Sequence, residues 1–367
     1  RHQLERCDEV VVLTLDGWRE SVGVQAEIRI AGECGKPVRY VAPEASTNRH
    51  NDVSDTTCSQ QGGSLGGSLR VANAPCSWGV LEFELEGEIA PWRQVLDEMA
   101  ETGYAGTELG DWGYLPTEPD ILSRELASRG LRLVAGFVPL PLATPQAHRS
   151  NLALALRTAR LLAQVGGERS VLVLADANGT VRERTLNAGR IVSSMGLSHD
   201  QWGVYAQGVE DIARIVLDST GLRTAFHHHC GGYVETPAEI EQLMSRTDAS
   251  LLGLCLDTGH AAYGGGHPLA LLERYGPRVW HVHLKDMSAA VACCARERGW
   301  DYFRAVAEGV FCELGQGAVP FGTLTQNLRA NGYDGWLVVE QNVLPSMGSP
   351  VASARRNHAY LRDTGVI

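Results

Sequence analysis

From residue 69 onward the chain alternates between two patterns. Short apolar runs, as in LRLVAGFVPL, RSVLVLAD, LLGLCLD and GWLVVEQN, are separated by longer stretches in which apolar residues return every three or four positions. PWRQVLDEMAETG, EPDILSRELASRG, QWGVYAQGVEDIARIVLDSTG and PAEIEQLMSR are of the second kind. A continuous apolar run bounded by turn residues predicts a strand covered on both faces, and the longer period predicts a helix with one buried stripe. With LRVANAPCSW, YAGTELG, LRTAFH and RVWHVHLKD the apolar runs number eight. Eight strands alternating with helices is the rhythm of a (β/α)8 TIM barrel, an α/β fold. A doubly wound open sheet is the competing arrangement, but no GxGxxG follows the first strand.

Residues 44–68 are rich in Ser, Thr, Asn, Gly and Gln with almost no large apolar side chain, which predicts a linker. It divides the chain into a front segment, 1–43, and the barrel, 69–367. The front segment reads strand, loop, helix, strand. An apolar run covers Val10 to Leu15, Val24, Ile28 and Ala31 recur at helical spacing, Gly35 ends the helix, and KPVRYV restarts a strand. With DGW, Ser21, Gly23 and Glu27, residues 1–41 resemble the C-terminal half of a nucleoside 2-deoxyribosyltransferase-like domain. Half of such a domain holds little core, so no activity of its own is expected from it.

Composition narrows the partners. The net charge of −11, with no long run of Lys and Arg, argues against a nucleic-acid binder, which needs a basic face. No apolar run approaches the roughly 18 residues that span a bilayer, and no charged-then-apolar leader opens the chain, so a cytoplasmic protein with no membrane partner is expected. The nine cysteines are odd in number and lack CxxC spacing, which predicts reduced thiols. The adjacent Cys293 and Cys294 read as bystanders.

In a (β/α)8 barrel the active-site groups come from the C-terminal strand ends. Here those ends carry Cys76, Ser77 and Trp78 on the first strand, Glu108 on the second, Asp176 on the fourth and the run His227-His228-His229 on the fifth. The sixth carries Asp257 and His260, the seventh His281, His283, Lys285 and Asp286, and the eighth Glu340. His227 to Asp257 is 30 residues and Asp257 to His283 is 26, each about one β/α unit; the 57 residues from His283 to Glu340 fit one unit plus an insertion around CCARERGW. A His, an Asp, a His and a Glu thus fall at matching heights on four consecutive strands, and such N and O donors suit Mn²⁺, Co²⁺, Mg²⁺ or Zn²⁺. Cys255, two residues before Asp257, shares its face. Singly, each has a plainer reading: Asp257 as a helix N-cap, one of His281 and His283 as a core histidine. Strand alternation turns His228 away from its two neighbours and makes it structural.

FHHHCGGYVET, LCLDTGHAAY, HVHLKD and WLVVEQN resemble the xylose isomerase-like barrels, which include sugar isomerases, ketose 3-epimerases and AP endonucleases. VANAPCSWGVLEF, AGTELGDWGYLP and GVFCELGQGAVPF resemble, more narrowly, the inosose dehydratase branch, which acts on 2-keto-myo-inositol. The resemblance covers roughly residues 70 to 365. It implies a metal held by Glu, Asp, His and Glu, with Asp257, His283 and Glu340 on the last three positions and His227 on the first. The branch has His-Pro-His where this chain has His-His-His, so the choice between His227 and His229 as ligand stays open. Gln316 stands where the branch places Glu.

The expected chemistry is proton abstraction beside a carbonyl that a divalent ion polarises. Mn²⁺ or Co²⁺ is preferred, with Mg²⁺ or Zn²⁺ as alternatives. Glu108, Lys285 and His229 are the expected acid/base residues; His260, Trp78, Trp112 and Asp286 the expected substrate contacts. The expected partner is a small cyclitol or sugar, and a homo-oligomer is left open. Dehydration of a keto-cyclitol is the leading reading, with sugar isomerisation or epimerisation on the same metal as the alternative and a non-catalytic binding barrel as the third.

Overall fold

The apolar runs from residue 70 onward form eight parallel strands hydrogen-bonded in a closed ring. They are β1 (Arg70–Asn73), β2 (Gly106–Glu108), β3 (Arg132–Leu140), β4 (Val171–Asp176), β5 (Arg223–His227), β6 (Leu252–Asp257), β7 (Val279–Leu284) and β8 (Trp336–Val339). β8 pairs with both β7 and β1, so the ring has no free edge. Each strand is followed by a helix: α1 (Trp92–Thr102), α2 (Pro119–Ala127), α3 (Pro145–Val165), α4 (His199–Thr220), α5 (Pro237–Arg246), α6 (Pro268–Tyr275), α7 (Phe321–Ala330) and α8 (Pro350–Asp363). This is a (β/α)8 TIM barrel. The computed structural model describes residues 10–13, 28–29, 37–41, 69–79, 90–167, 169–343 and 348–367.

Side-chain alternation sorts each strand into two faces. Leu172, Leu174, Phe226, Leu254, Leu256 and Val282 point outward into the core beneath the helices. Val171, Val173, Ala225, Cys255 and Val338 point inward and fill the barrel. Two residues further along the same inward rows come His227, Asp257 and Glu340. The register sets Asp257 beside His283 and Cys255 beside both His227 and His281. The parity that buries the core therefore also aims the donors at one mouth.

Two expectations change in detail. β1 stops at Asn73 and does not run through to Trp78. Pro75, which has no N–H to give a ladder, opens a 3-10 turn over Pro75–Trp78. β2 is only three residues long within the YAGTELG run. The insertion after β7 is a folded piece. Asp286–Met287 pairs antiparallel with Phe311–Cys312 and encloses the helices Ala289–Arg298 and Tyr302–Ala307. Their buried faces, with Tyr302 and Phe311, cluster with Cys230 from the loop after β5.

The chain divides into two compact units, Arg1–Gly67 and Ser68–Ile367. In the smaller one Val10–Leu13 pairs in parallel with Val38–Val41, and Ile28 and Arg29 are helical. The predicted linker, and Leu15, Ser21, Gly23, Val24, Glu27, Ala31 and Gly35, lie outside the described residues. Among the described residues no helix is long and apolar enough to cross a membrane.

Candidate metal centre and active site

The structure brings His227, Asp257, His283 and Glu340 together, one donor atom from each lying within 4.8 Å of all the others. His227 Nε2 is 3.6 Å from Asp257 Oδ2, and His283 Nδ1 is 3.8 Å from Asp257 Oδ2 and 3.4 Å from Glu340 Oε1. Asp257 has two jobs. Its Oδ1 accepts from the backbone N–H of His260, capping the short helix Thr258–Tyr263, which leaves Oδ2 for the cluster. His227 Nε2, Asp257 Oδ2 and His283 Nδ1 are all buried without a hydrogen-bond partner. Unpaired buried polar atoms are costly unless a ligand satisfies them. Four N or O ligands about 2.1 Å from one ion in tetrahedral array stand roughly 3.4 Å apart, so these residues fit a divalent cation.

Glu108 lines the cleft and is held through one of its two carboxylate oxygens. Its Oε1 accepts from His281 Nε2 at 2.8 Å and His283 Nε2 at 3.0 Å. The carboxylate of β2 thus reaches two side chains of β7. By donating Nε2–H there, His283 is held in the tautomer that leaves Nδ1 facing the cluster. His228 lies on the other side, as alternation requires. Its Nε2 accepts from the Asp257 N–H at 3.3 Å, and burial together with nearby His227 pushes its pKa down to about 3. It is a neutral brace.

Lys285 crosses to the mouth over Gly259, where a Cβ would lie 2.6 Å from the lysine Cγ. Its Nζ is 3.1 Å from Glu340 Oε2 and donates to Asn342 Oδ1 at 3.0 Å. Burial opposes this charge, but Glu340 and Asp257 outweigh it and push the pKa above the usual lysine range. His229 lines the same cleft, with Phe137, Tyr302 and Asn342. Its Nδ1 is 2.6 Å from the Cys230 carbonyl, which can only accept. The N–H is therefore on Nδ1, and Nε2 carries a lone pair. Burial, reinforced by His227 and Lys285, holds the ring well below the usual histidine pKa.

Four expected substrate contacts stand away from the cleft lining. His260 is fully buried with its ring centroid 3.8 Å from that of His229, and its Nδ1 accepts from the Cys230 N–H. It backs His229. Trp78 faces α1, where its Nε1–H donates to Glu98 at 2.6 Å. Trp112 packs on the outer core with Arg157 4.6 Å over its ring, and its neighbours Gly110 and Asp111 line the cleft instead. Asp286 accepts from the backbone N–H groups of Met287, Gly315, Gly317 and Val319. It anchors the ELGQGAV turn, on which Gln316 is exposed. Sequence reasoning missed Asn342, Phe137 and Tyr302 as cleft residues. Asn342 lies two positions after Glu340, on the same row, so alternation was a usable signal; Tyr302 sits in the insertion, where no period points to it.

A family model for the xylose isomerase-like TIM barrel matches residues 96–364, and another, described only as a domain of unknown function, matches residues 1–42. Over 298 residues the chain is 35% identical to the rhizopine catabolism protein MocC of Rhizobium meliloti, across 80% of this chain and 88% of that protein. It is 31% identical to the inosose dehydratase of Geobacillus kaustophilus (strain HTA426), across 80% of this chain and 94% of that one. Among solved structures it is similar to the IOLI protein with a bound zinc atom, with a TM-score of 0.60 at 15% identity over 81% of this chain and 98% of that one. It is also similar to the probable 3-DHS dehydratase AsbF of Bacillus anthracis, with a TM-score of 0.59 at 14% identity over 80% of this chain and 99% of that one. At these identities the two structures establish the fold alone.

Proposed function

The chain belongs to the xylose isomerase-like TIM barrel family, and on that premise we propose that it is a metal-dependent dehydratase of a keto-cyclitol of the 2-keto-myo-inositol class. The observation that carries the reading is the set of unpaired buried donors on His227, Asp257 and His283, with Glu340 and a charged Lys285 at the same mouth. The relatives named inosose dehydratase support the substrate class.

His227, Asp257, His283 and Glu340 would hold the ion, and His229, whose Nδ1 is engaged with Cys230, stays outside the shell. Two imidazoles and two carboxylates suit Mn²⁺ or Co²⁺. When bound, such an ion supplies polarisation of the substrate carbonyl and charge compensation for the enolate, worth several kcal/mol. His229 Nε2 takes the proton from the carbon next to the carbonyl, and the C–H electron pair passes into the enolate. Lys285 donates a hydrogen bond to the oxygen on which charge develops, from an ammonium held in place by Glu340 and Asn342. Glu108 positions His283 through its Oε1. The enolate then expels the hydroxyl on the next carbon, which takes up one proton as the C–O bond breaks and leaves as water.

Chelator-stripped protein should be inert toward 2-keto-myo-inositol, and protein reloaded with Mn²⁺ or Co²⁺ should yield a product lighter by one water. A product of unchanged mass would transfer the site to an epimerase. Absence of turnover on every keto-cyclitol and ketose offered would reduce the barrel to a binding protein.

A further inference from the structure

We propose that Tyr302 is the acid that protonates the departing hydroxyl, a catalytic residue supplied by the insertion after β7; the assignment rests on the dehydratase reading. Tyr302 is buried, lines the cleft with His229, Lys285 and Glu340, and places its hydroxyl oxygen 3.4 Å from His229 Nε2. It is well held. Asp301 caps its short helix by accepting from the Arg304 N–H, and the Tyr302 ring packs in the cluster that includes Cys230 and Phe311.

The need for this acid follows from the other groups. The single N–H of neutral His229 is committed to the Cys230 carbonyl, so His229 begins as a base with nothing to give. Two of the three N–H groups of Lys285 go to Glu340 and Asn342 and the third to the oxygen of the enolate, while Glu108 accepts from two imidazoles through Oε1. The Tyr302 hydroxyl rests on the one lone pair that receives the substrate proton. At 3.4 Å that bond is long for O–H···N, so it yields to the incoming substrate proton. Once His229 Nε2 has taken the α-proton, the direction reverses: Nε2–H donates to the phenol oxygen, and the phenol hydrogen is released toward substrate. Tyr302 then protonates the leaving hydroxyl, the C–O bond breaks with its pair going to oxygen, and water departs. The phenolate takes the proton from His229 Nε2, which restores both groups. Substrate becomes product plus water with no other reactant, and the proton lost from carbon replaces the one delivered to oxygen.

The test uses full-length Mn²⁺-loaded protein and 2-keto-myo-inositol in D2O, following both dehydration and deuterium uptake at the α-carbon of recovered substrate. Tyr302→Phe should dehydrate about 100-fold or more slowly yet exchange the α-proton within about threefold of wild type, because only the acid step is removed. Mn²⁺ affinity and thermal stability should match wild type. An analogue with fluorine in place of the leaving hydroxyl needs no acid, so it should restore elimination by Tyr302→Phe to near the wild-type rate on the same analogue. A variant that dehydrates within about threefold of wild type overturns the assignment. Loss of exchange together with dehydration, loss of Mn²⁺ binding, or no rescue by fluoride also overturns it, since each makes Tyr302 structural. A wild type that neither exchanges nor dehydrates instead overturns the dehydratase reading beneath it.

Discussion

At the scale of single residues, several ionisable side chains near the mouth act as braces. Glu108 accepts from both His281 and His283 and fixes the tautomer of a candidate ligand. Glu108→Gln should weaken Mn²⁺ binding by about 10–100-fold, read by titration of the stripped protein; unchanged affinity would mean that Glu108 does not orient His283. His228 is a second brace. His228→Ala leaves the Asp257 N–H unpaired in a buried site, which should cost about 1–3 kcal/mol in urea unfolding. Metal affinity should fall far less than in His227→Ala, and equal losses in the two variants would place His228 in the ligand shell. Alternation alone foretold that His228 points off the site. It could not foretell the hydrogen bond to Asp257, which needs the packed β5–β6 pair.

Among the elements, the loop that carries His229 and Cys230 is secured by a buried ion pair. Arg184, in the short helix Arg182–Leu186, meets Glu239 of α5 through two hydrogen bonds of 2.8 Å, and its Nε donates to the Gly232 carbonyl. Glu239 also accepts from the backbone N–H groups of Glu235 and Thr236 and completes the capping box of α5. Removing one partner leaves the other charge buried and unpaired. Arg184→Ala should therefore cost about 3–5 kcal/mol, measured as a fall in the urea midpoint at unchanged slope. A loss below about 1 kcal/mol would mean that the pair is not what holds this loop. The Thr-Pro-Ala-Glu spacing of the capping box is readable in the chain. Its third member, Arg184, is 55 residues from Glu239 and belongs to a segment without period.

For the whole molecule, the ring closes within Ser68–Ile367, with β8 pairing back to β1. Deletion of residues 1–66 should leave turnover within about tenfold of the full chain, because all the proton-transfer groups proposed here lie in the barrel. A larger loss in steady-state assays would give the front unit a role. The barrel and the convergence of His227, Asp257, His283 and Glu340 were determined by local rules. Period two assigns each strand residue a face, the longer period assigns each helix a stripe, and a barrel presents its strand ends together. What surrounds that cluster was decided only by the tertiary structure. Trp78 and Asp286 occupy strand-end positions like the donors, yet one packs on α1 and the other anchors a turn, because β1 breaks at Pro75 and the insertion folds back on Asp286. Glu108 meets His281 across 173 residues, and Tyr302 reaches His229 across 73. Such pairings depend on where closed strands and packed loops bring distant backbone together, and no periodicity in the chain encodes that distance.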